Sequence, residues 1–572
     1  MSRKQIKQQN IAETVVLIAI VAVLGILSSF FYARFDLTSD KRFSISKHTK
    51  QLLDNVDDAV LFKVYLDGDL PAGFVKLRTA VSDILEEFRA YGGANIQYEF
   101  VNPSESENAN ERNRVHYELY QKGLDPVNLQ VKDKDGGTSQ RIIFPGIVVS
   151  YKGREVAVNV LKNYVSASSS GNLQTSIQSL EYNLTFAIIQ LMQPSAPIIG
   201  FLRGHGELNV ADIEDISYSL GQFYSLRQVD ANDELLAVDS VGALTYKLIV
   251  VAKPTEQFTE HDKFFIDQYV MRGGRVLWLI DNVMASMDSL TTQRVAMAIP
   301  ADLNLDDQLF NYGVRMNPNL IQDIQCAMIP VNTALVGQQP QFVPAPWIFS
   351  PIVTPNPNHP MTKNLDMVRL EFVSSIDTVG QDANVQKTIL LASSNNSRLA
   401  PAPVQIDLAI VGEPTSPEMF NRAELPIAVL LEGSFRSVFT NRALPQGCSR
   451  QMLQQQSMPT RMVVVSDGDI IRNQFKVTDG RREPLPLGYD RLTKQTFGNK
   501  EFLLNAINYL CGYDGLMESR SKEFKLRMLD KAELQNHRLY WQSVNVALPI
   551  ALIVIAGIAF NLVRRKKFQK NA

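Results

Sequence analysis

The sequence predicts an α/β protein whose large soluble region is held between two membrane-spanning helices. Two uncharged apolar runs lie near the ends, and strand and helix patterns alternate through the middle. The 572-residue length exceeds one hydrophobic core, so two or three soluble domains are expected. A composition 45% hydrophobic and 20% charged is that of folded rather than disordered material. The formal net charge of −2 removes bulk attraction to nucleic acid. Three cysteines, Cys326, Cys448 and Cys511, have no metal-ligand spacing and allow at most one disulfide.

Val15 to Ala33 is uncharged over 19 residues, close to the ~20 that cross a hydrocarbon core. A cleaved signal peptide is the competing reading, given Arg3, Lys4 and Lys7. The exit through Phe30, Phe31 and Tyr32 offers no small-x-small cleavage site. Val546 to Val563 is a second uncharged run, preceded by Tyr540 and Trp541 at the interfacial position. The tail beyond it carries Arg564, Arg565, Lys566, Lys567 and Lys570 without an acid, a cytoplasmic signature. Two spans then put both termini in the cytoplasm and the soluble region in the periplasm. Arg34, Lys41, Arg42, Lys47 and Lys50 argue the other way, but long domains translocate largely regardless of such charges. The expected division is 1–14 cytoplasmic, 15–33 first span, 34–193 first soluble domain and 194–515 second. A juxtamembrane stalk helix follows at 516–543, then the second span at 544–563 and the basic tail at 564–572.

In the first soluble domain, Ala59 to Leu66 reads as a strand. Phe74 to Tyr91 places Val75, Leu77, Val81, Leu85 and Phe88 at helical period, and Gly92 and Gly93 stop it. Asn95 to Val101 is a strand and Glu111 to Lys122 a helix. Ile142 to Tyr151 and Glu155 to Val160 form a hairpin around Lys152-Gly153-Arg154, and Leu173 to Met192 closes the unit. This order resembles the thioredoxin fold, with Pro145 before the third strand, a resemblance that implies a cis Phe144–Pro145 peptide. Where two cysteines would open the first helix the chain has Asp67-Gly68-Asp69-Leu70-Pro71, so disulfide exchange is excluded there.

The second region opens with the strand Pro197 to Leu202, followed by Gly204-His205-Gly206-Glu207. Asp212 to Phe223 is helical, Leu248 to Ala252 a fully apolar strand, and His261 to Met271 a helix ended by Gly273-Gly274. Arg275 to Ile280 is the next strand, with Asp281 at its end. The rhythm predicts a doubly wound sheet, in which ligands sit beyond the carboxyl ends of the strands. His205, Glu207, Lys253 and Asp281 fall there, and they are the candidate ligand-binding residues together with Asp467 and Asp469 of Ser466-Asp467-Gly468-Asp469. The layout resembles the glutamine-amidotransferase and flavodoxin-like arrangement. The turn that would carry a nucleophile reads Ala252-Lys253-Pro254, without Cys or Ser, so no catalytic residue is assigned. His and Glu two apart among glycines more often cap a turn than catalyse, and the acidic loop lacks the other ligands of a calcium site. No metal or cofactor is implied.

Leu303 to Tyr312 reads as helix and Leu320 to Ile324 as strand. Phe342 to Pro360 reads as a proline-rich irregular stretch. Ile389 to Ala392, Ile427 to Leu431 and Met462 to Val465 are further strands, and Phe502 to Leu510 a helix.

Several strings then point to one family. They are Phe35-Asp36-Leu37-Thr38 with Lys41-Arg42-Phe43-Ser44, Gly204-His205-Gly206-Glu207, Asp267-Gln268-Tyr269-Val270 with Gly273-Gly274, Asp302 to Gln308, Ser466 to Asp469, and Pro486-Leu487-Gly488-Tyr489-Asp490. Together they resemble the GldG family of gliding-motility-associated ABC transporter auxiliary proteins, over nearly the whole chain. The resemblance implies an integral permease and a cytoplasmic ATPase as partners, lipid contact through the two helices, and an envelope or secreted substrate. No Gly-x-x-x-x-Gly-Lys-Ser/Thr string occurs, so ATP-driven work falls to another subunit. The competing readings are a tethered periplasmic hydrolase using His205 and Glu207, and an envelope scaffold.

Overall fold

The computed structural model describes residues 12, 14–23, 44–132, 138–165, 167–193, 195–293, 295–332, 341–380, 384–412, 416–478, 480–513 and 537–569. Two compact units are present, Met1–Lys522 and Glu523–Ala572.

The N-terminal part of the first unit begins with α1 (Lys47–Asp54), β1 (Val60–Val64), α2 (Ala72–Gly92), β2 (Ile96–Phe100) and α3 (Ala109–Gln121). The hairpin β3 (Val127–Lys132) and β4 (Thr138–Ile143) follows, then β5 (Gly146–Tyr151), β6 (Arg154–Asn159) and α4 (Ser169–Met192). The main sheet runs β2-β1-β5-β6, with β1 and β2 parallel and the other pairs antiparallel. Alternation on β1 sends Val60, Phe62 and Val64 inward, where they meet Leu77, Val81, Leu85 and Phe88 of α2 and Leu180, Leu184 and Ile188 of α4. Leu119, Leu124, Phe144 and Val148 form a smaller cluster.

The cis peptide expected before Pro145 is not present: among the described residues only Ala402–Pro403 is cis. Instead the Gly146 N–H donates to the Phe144 carbonyl at 2.8 Å, closing a three-residue turn centred on Pro145. The proline ring holds φ near the value such a turn needs, so a trans bond suffices.

The second region contains β7 (Ile198–Arg203), α5 (Glu214–Gly221), β8 (Ser225–Asp230), β9 (Tyr246–Ala252), α6 (Glu260–Met271) and β10 (Val276–Leu279). A long excursion then includes β11 (Cys326–Asn332) and β12 (Phe342–Val353). The chain returns as β13 (Val385–Ala392), β14 (Pro426–Gly433), β15 (Thr460–Val465) and α7 (Asn499–Leu510). The seven-stranded sheet runs β13-β14-β15-β10-β9-β7-β8. Its five strands from β15 to β8 are parallel, and β14 and β13 add antiparallel. Leu248 and Val250 of β9 pack into one core with Ile216 and Phe502, while Ile249 and Val251 pack into another with Phe264 and Phe265. Burial on both faces explains the unbroken apolar run.

The stretch read as irregular is a correction: Phe342–Val353 is a twelve-residue strand, antiparallel to β11. Pro344 faces Pro330, where neither residue has an N–H to donate, and Pro351 faces Cys326 beside a register shift. Trp347 and Phe349 on this strand are buried against Phe372. All three cysteines are free, so the single disulfide that the count allowed does not form.

The second unit contains a helix, Arg538–Gln569, whose segment Tyr540–Val563 has mean hydropathy 2.6 and no residue buried in protein. Pro549 lies inside it. Thr14–Val23 is helical and apolar. Residues 24–33 of the first expected span lie outside the described residues, as do 514–536, which hold most of the expected stalk.

Candidate functional site

The six residues singled out at the strand ends separate into two groups. The first is a latch after β7. His205 Nδ1 lies 3.1 Å from Glu207 Oε1, and Nε2 lies 3.3 Å from Asp262 Oδ2. The ring stacks on Phe258 with centroids 3.7 Å apart, and the His205 backbone N–H donates to Glu207 Oε2 at 2.8 Å. Asp262 is also the third residue of α6 and caps its start with Thr259, so the latch ties the β7 turn to a helix N-terminus. Burial alone would lower the imidazole pKa, but the bonds to Asp262 and Glu207 outweigh it and raise it to about 9. The ring is therefore an imidazolium at neutral pH with both nitrogens occupied, which leaves no lone pair for a base or a metal.

The second group is an ion cluster at the ends of β9, β10 and β15. Lys253 Nζ lies 3.1 Å from Asp281 Oδ2 and also bonds Asp469 Oδ2. Asp281 Oδ1 accepts the Gly468 N–H at 2.5 Å. Asp467 Oδ1 accepts the Asp469 and Ile470 N–H groups at 2.8 and 3.1 Å, and its Oδ2 accepts the Glu371 N–H at 2.9 Å. Lys253 has a left-handed φ of 53°, and a Cβ on Gly468 would stand 2.7 Å from the Lys253 Cβ. Only glycine permits that approach.

Burial works against the Lys253 ammonium, but Asp281 and Asp469 hold its pKa above the ordinary lysine value. Burial and the Asp469 charge push Asp281 up to about 6. Burial, with Asp281 and Asp469 beside it, raises Asp467 well above the carboxylate range. Burial also raises Glu371 to about 7. The result is a charged lysine held by Asp281 and Asp469, with Asp467 and Glu371 beside it raised enough to retain protons near neutrality. This arrangement stores charge and cross-links strand ends, and a protonated amine is no nucleophile.

Glu371 was not singled out from sequence, nor were Arg369 and Arg472, which with Asp467, Asp469 and Tyr489 line a cleft of about 70 Å³. The cleft is small and lined mainly by charged and polar side chains. Thiol chemistry finds no support: burial pushes Cys511 up to about 12 and Cys326 up to about 11. Among the described residues no group of three His, Cys, Asp or Glu side chains is placed to hold a metal ion.

The second region has known relatives. Residues 196–506 match the model of a family described as an ABC-type uncharacterized transport system. The chain belongs to that family. Membership of this ABC-type transport family makes it an auxiliary transport component, and the apolar helix near its C-terminus indicates membrane association. A second model, described only as a domain of unknown function, matches residues 39–150. An uncharacterized protein of Borreliella burgdorferi is 21% identical over 400 residues, covering 68% of this chain and 71% of that protein. Among solved structures, the mmIFT52 N-terminal domain covers 55% of this chain and 97% of its own, at 13% identity and a TM-score of 0.29. At that score the likeness carries no argument.

Proposed function

We propose that the chain is a non-ATPase, membrane-anchored subunit of an ABC-type complex. It works beside an integral permease and a cytoplasmic ATPase. The observation that carries this reading is the family match over 196–506 together with the 24-residue apolar segment Tyr540–Val563. In the fuller form of the proposal the chain spans the inner membrane twice, with both termini cytoplasmic and residues 34–515 periplasmic. Residues 34–193 serve as a thioredoxin-like scaffold without redox cysteines, a reading supported by the strand order β2-β1-β5-β6. Residues 194–515 form a doubly wound domain that engages substrate or envelope partners, supported by parallel strands with helices in both cores. A role in surface movement or secretion is the finer form of the proposal, and the resemblance of the sequence strings to the gliding-motility proteins supports it.

The role is structural and coupling rather than catalytic. The enclosed latch at His205 and the protonated Lys253 favour this, since neither presents a free base or nucleophile. The test is affinity purification of the tagged full chain from membranes in mild detergent, beside a chain truncated before Arg538. Recovery of a multi-span permease and an ATPase with the full chain alone supports the proposal. Recovery of the intact full chain without either subunit refutes it.

A further inference from the structure

The two soluble domains enclose a second cavity, about 890 Å³, far from the strand-end cluster in size. Its walls come from α3, β6 and α4 on one side and from α5 and α7 on the other. Cavities of this volume at domain junctions are the ordinary place for a ligand.

Three features define what would fit. First, Gln190 on α4 is only 6% exposed, yet neither its Nε2 nor its Oε1 has a partner, and the side chain lines the cavity. Other amides in the wall are engaged: Asn508 accepts from the Tyr224 hydroxyl at 2.7 Å, and Asn505 donates to the Met361 carbonyl at 3.0 Å. A buried primary amide with both ends unmet is costly unless a ligand supplies one donor and one acceptor, the pair that a peptide group carries.

Second, β6 is an edge strand of its sheet, and Val156 to Asn159 line the cavity. The turn Lys152-Gly153 has two residues at φ 47° and 78°, a two-residue hairpin that makes Tyr151 and Arg154 a hydrogen-bonded pair. Val156 and Val158 then also bond β5, and the Val160 N–H donation to Pro145 at 2.9 Å keeps the same parity. The N–H and C=O groups of Ala157 consequently point away from β5, on the open edge of a strand that lines the cavity.

Third, the lysines are spent within the wall. Lys162 pairs with Glu501 at 2.9 Å and Lys500 with Asp215 at 3.0 Å. The remaining carboxylates disfavour an acidic ligand. Tyr120 and Tyr218, each more than half exposed, supply aromatic surface.

We propose that this cleft binds an uncharged, extended polypeptide segment, which adds to the free edge of β6 and is held by the Gln190 amide. Strand addition supplies affinity through the backbone, and the tyrosines and Gln190 supply side-chain contacts. The inference concerns ligand chemistry and stands whether or not the chain assembles with a permease and an ATPase, so binding is measured on the purified full chain alone.

The probes are fluorophore-labelled, end-capped octapeptides of neutral, acidic and basic composition, titrated by anisotropy, with maltoheptaose as a non-peptide competitor. Two variants accompany the wild type. Ala157→Pro removes the outward donor at an edge position that tolerates proline, and Gln190→Leu removes the amide at similar volume. The proposal expects micromolar binding of neutral peptides and about tenfold weaker binding in each variant, the consequence of one lost hydrogen bond to a buried group. The melting temperature of Gln190→Leu is expected to be unchanged or raised. Absence of peptide binding up to millimolar concentration, equal affinity of Gln190→Leu and wild type, preference for acidic peptides, or displacement by maltoheptaose would each overturn it. If Ala157→Pro fails to fold, Gln190→Leu decides alone.

Discussion

Replacing Lys253 by methionine removes an ammonium group bonded to both Asp281 and Asp469. At 3.1 Å and an effective dielectric of 20, its attraction to Asp281 is about 5 kcal/mol before desolvation. Asp281 and Asp469 are 13% and 17% exposed, so neither carboxylate can be fully rehydrated without opening the strand ends. Removing one partner of such a buried pair costs about 3–5 kcal/mol, and the Lys253→Met chain should lose that much in chemical denaturation at pH 8. The loss should shrink at pH 5. Asp281 has a folded pKa of about 6 against 3.8 unfolded, so the folded state binds its proton more tightly and is favoured at low pH. That stability is lost as pH rises through 6, and removal of the lysine carries the window upward. Coupling Lys253→Met with Asp281→Asn should recover part of the loss, because the stranded charge is gone. A loss under 1 kcal/mol at pH 8, or the same loss at both pH values, would refute the reasoning.

Three further outcomes are expected. Gly468→Ala brings a Cβ to 2.7 Å from Lys253 and should destabilise by about 1–3 kcal/mol by overpacking, which denaturation midpoints will read. His205, raised from 6.5 to about 9, contributes stability that is complete below pH 6.5 and disappears as pH rises through 9. Solvent screening reduces the nominal contribution to about 1–2 kcal/mol, and His205→Phe should abolish this slope between pH 6.5 and 9. Cys511, 5% exposed with its thiol pushed up to about 12, should resist iodoacetamide at pH 8 in the native protein and react once denatured, as peptide mass mapping will show.

Much of the fold was legible because burial writes a simple pattern. Leu248 to Ala252 are buried on both faces and read as a continuous apolar strand, and Phe74 to Tyr91 shows one buried stripe. The strand Phe342–Val353 was not legible, since Pro344, Pro346 and Pro351 argue against a ladder, and its pairing with the strand from Cys326 to Asn332 is set by long-range packing. Strand order brought Lys253, Asp281, Asp467 and Asp469 together as expected of residues at neighbouring carboxyl ends. It did not reveal Glu371, whose backbone N–H reaches Asp467 only after a long excursion folds back. His205 was visible as a strand-end residue, but its second partner, Asp262, reads in sequence as an ordinary helix cap. Gln190 gives no signal, being one of several polar residues along a largely buried helix.

The central claim is that this chain supplies no ATP chemistry and acts through an assembly that does. The most direct measurement is ATP hydrolysis by the purified full chain alone and by the assembly that co-purifies with it from membranes. The account predicts no turnover by the chain alone, and turnover by the assembly that vanishes when the partner ATPase loses its phosphate-binding lysine. Hydrolysis by the isolated chain, or an assembly with no ATPase activity, would contradict it.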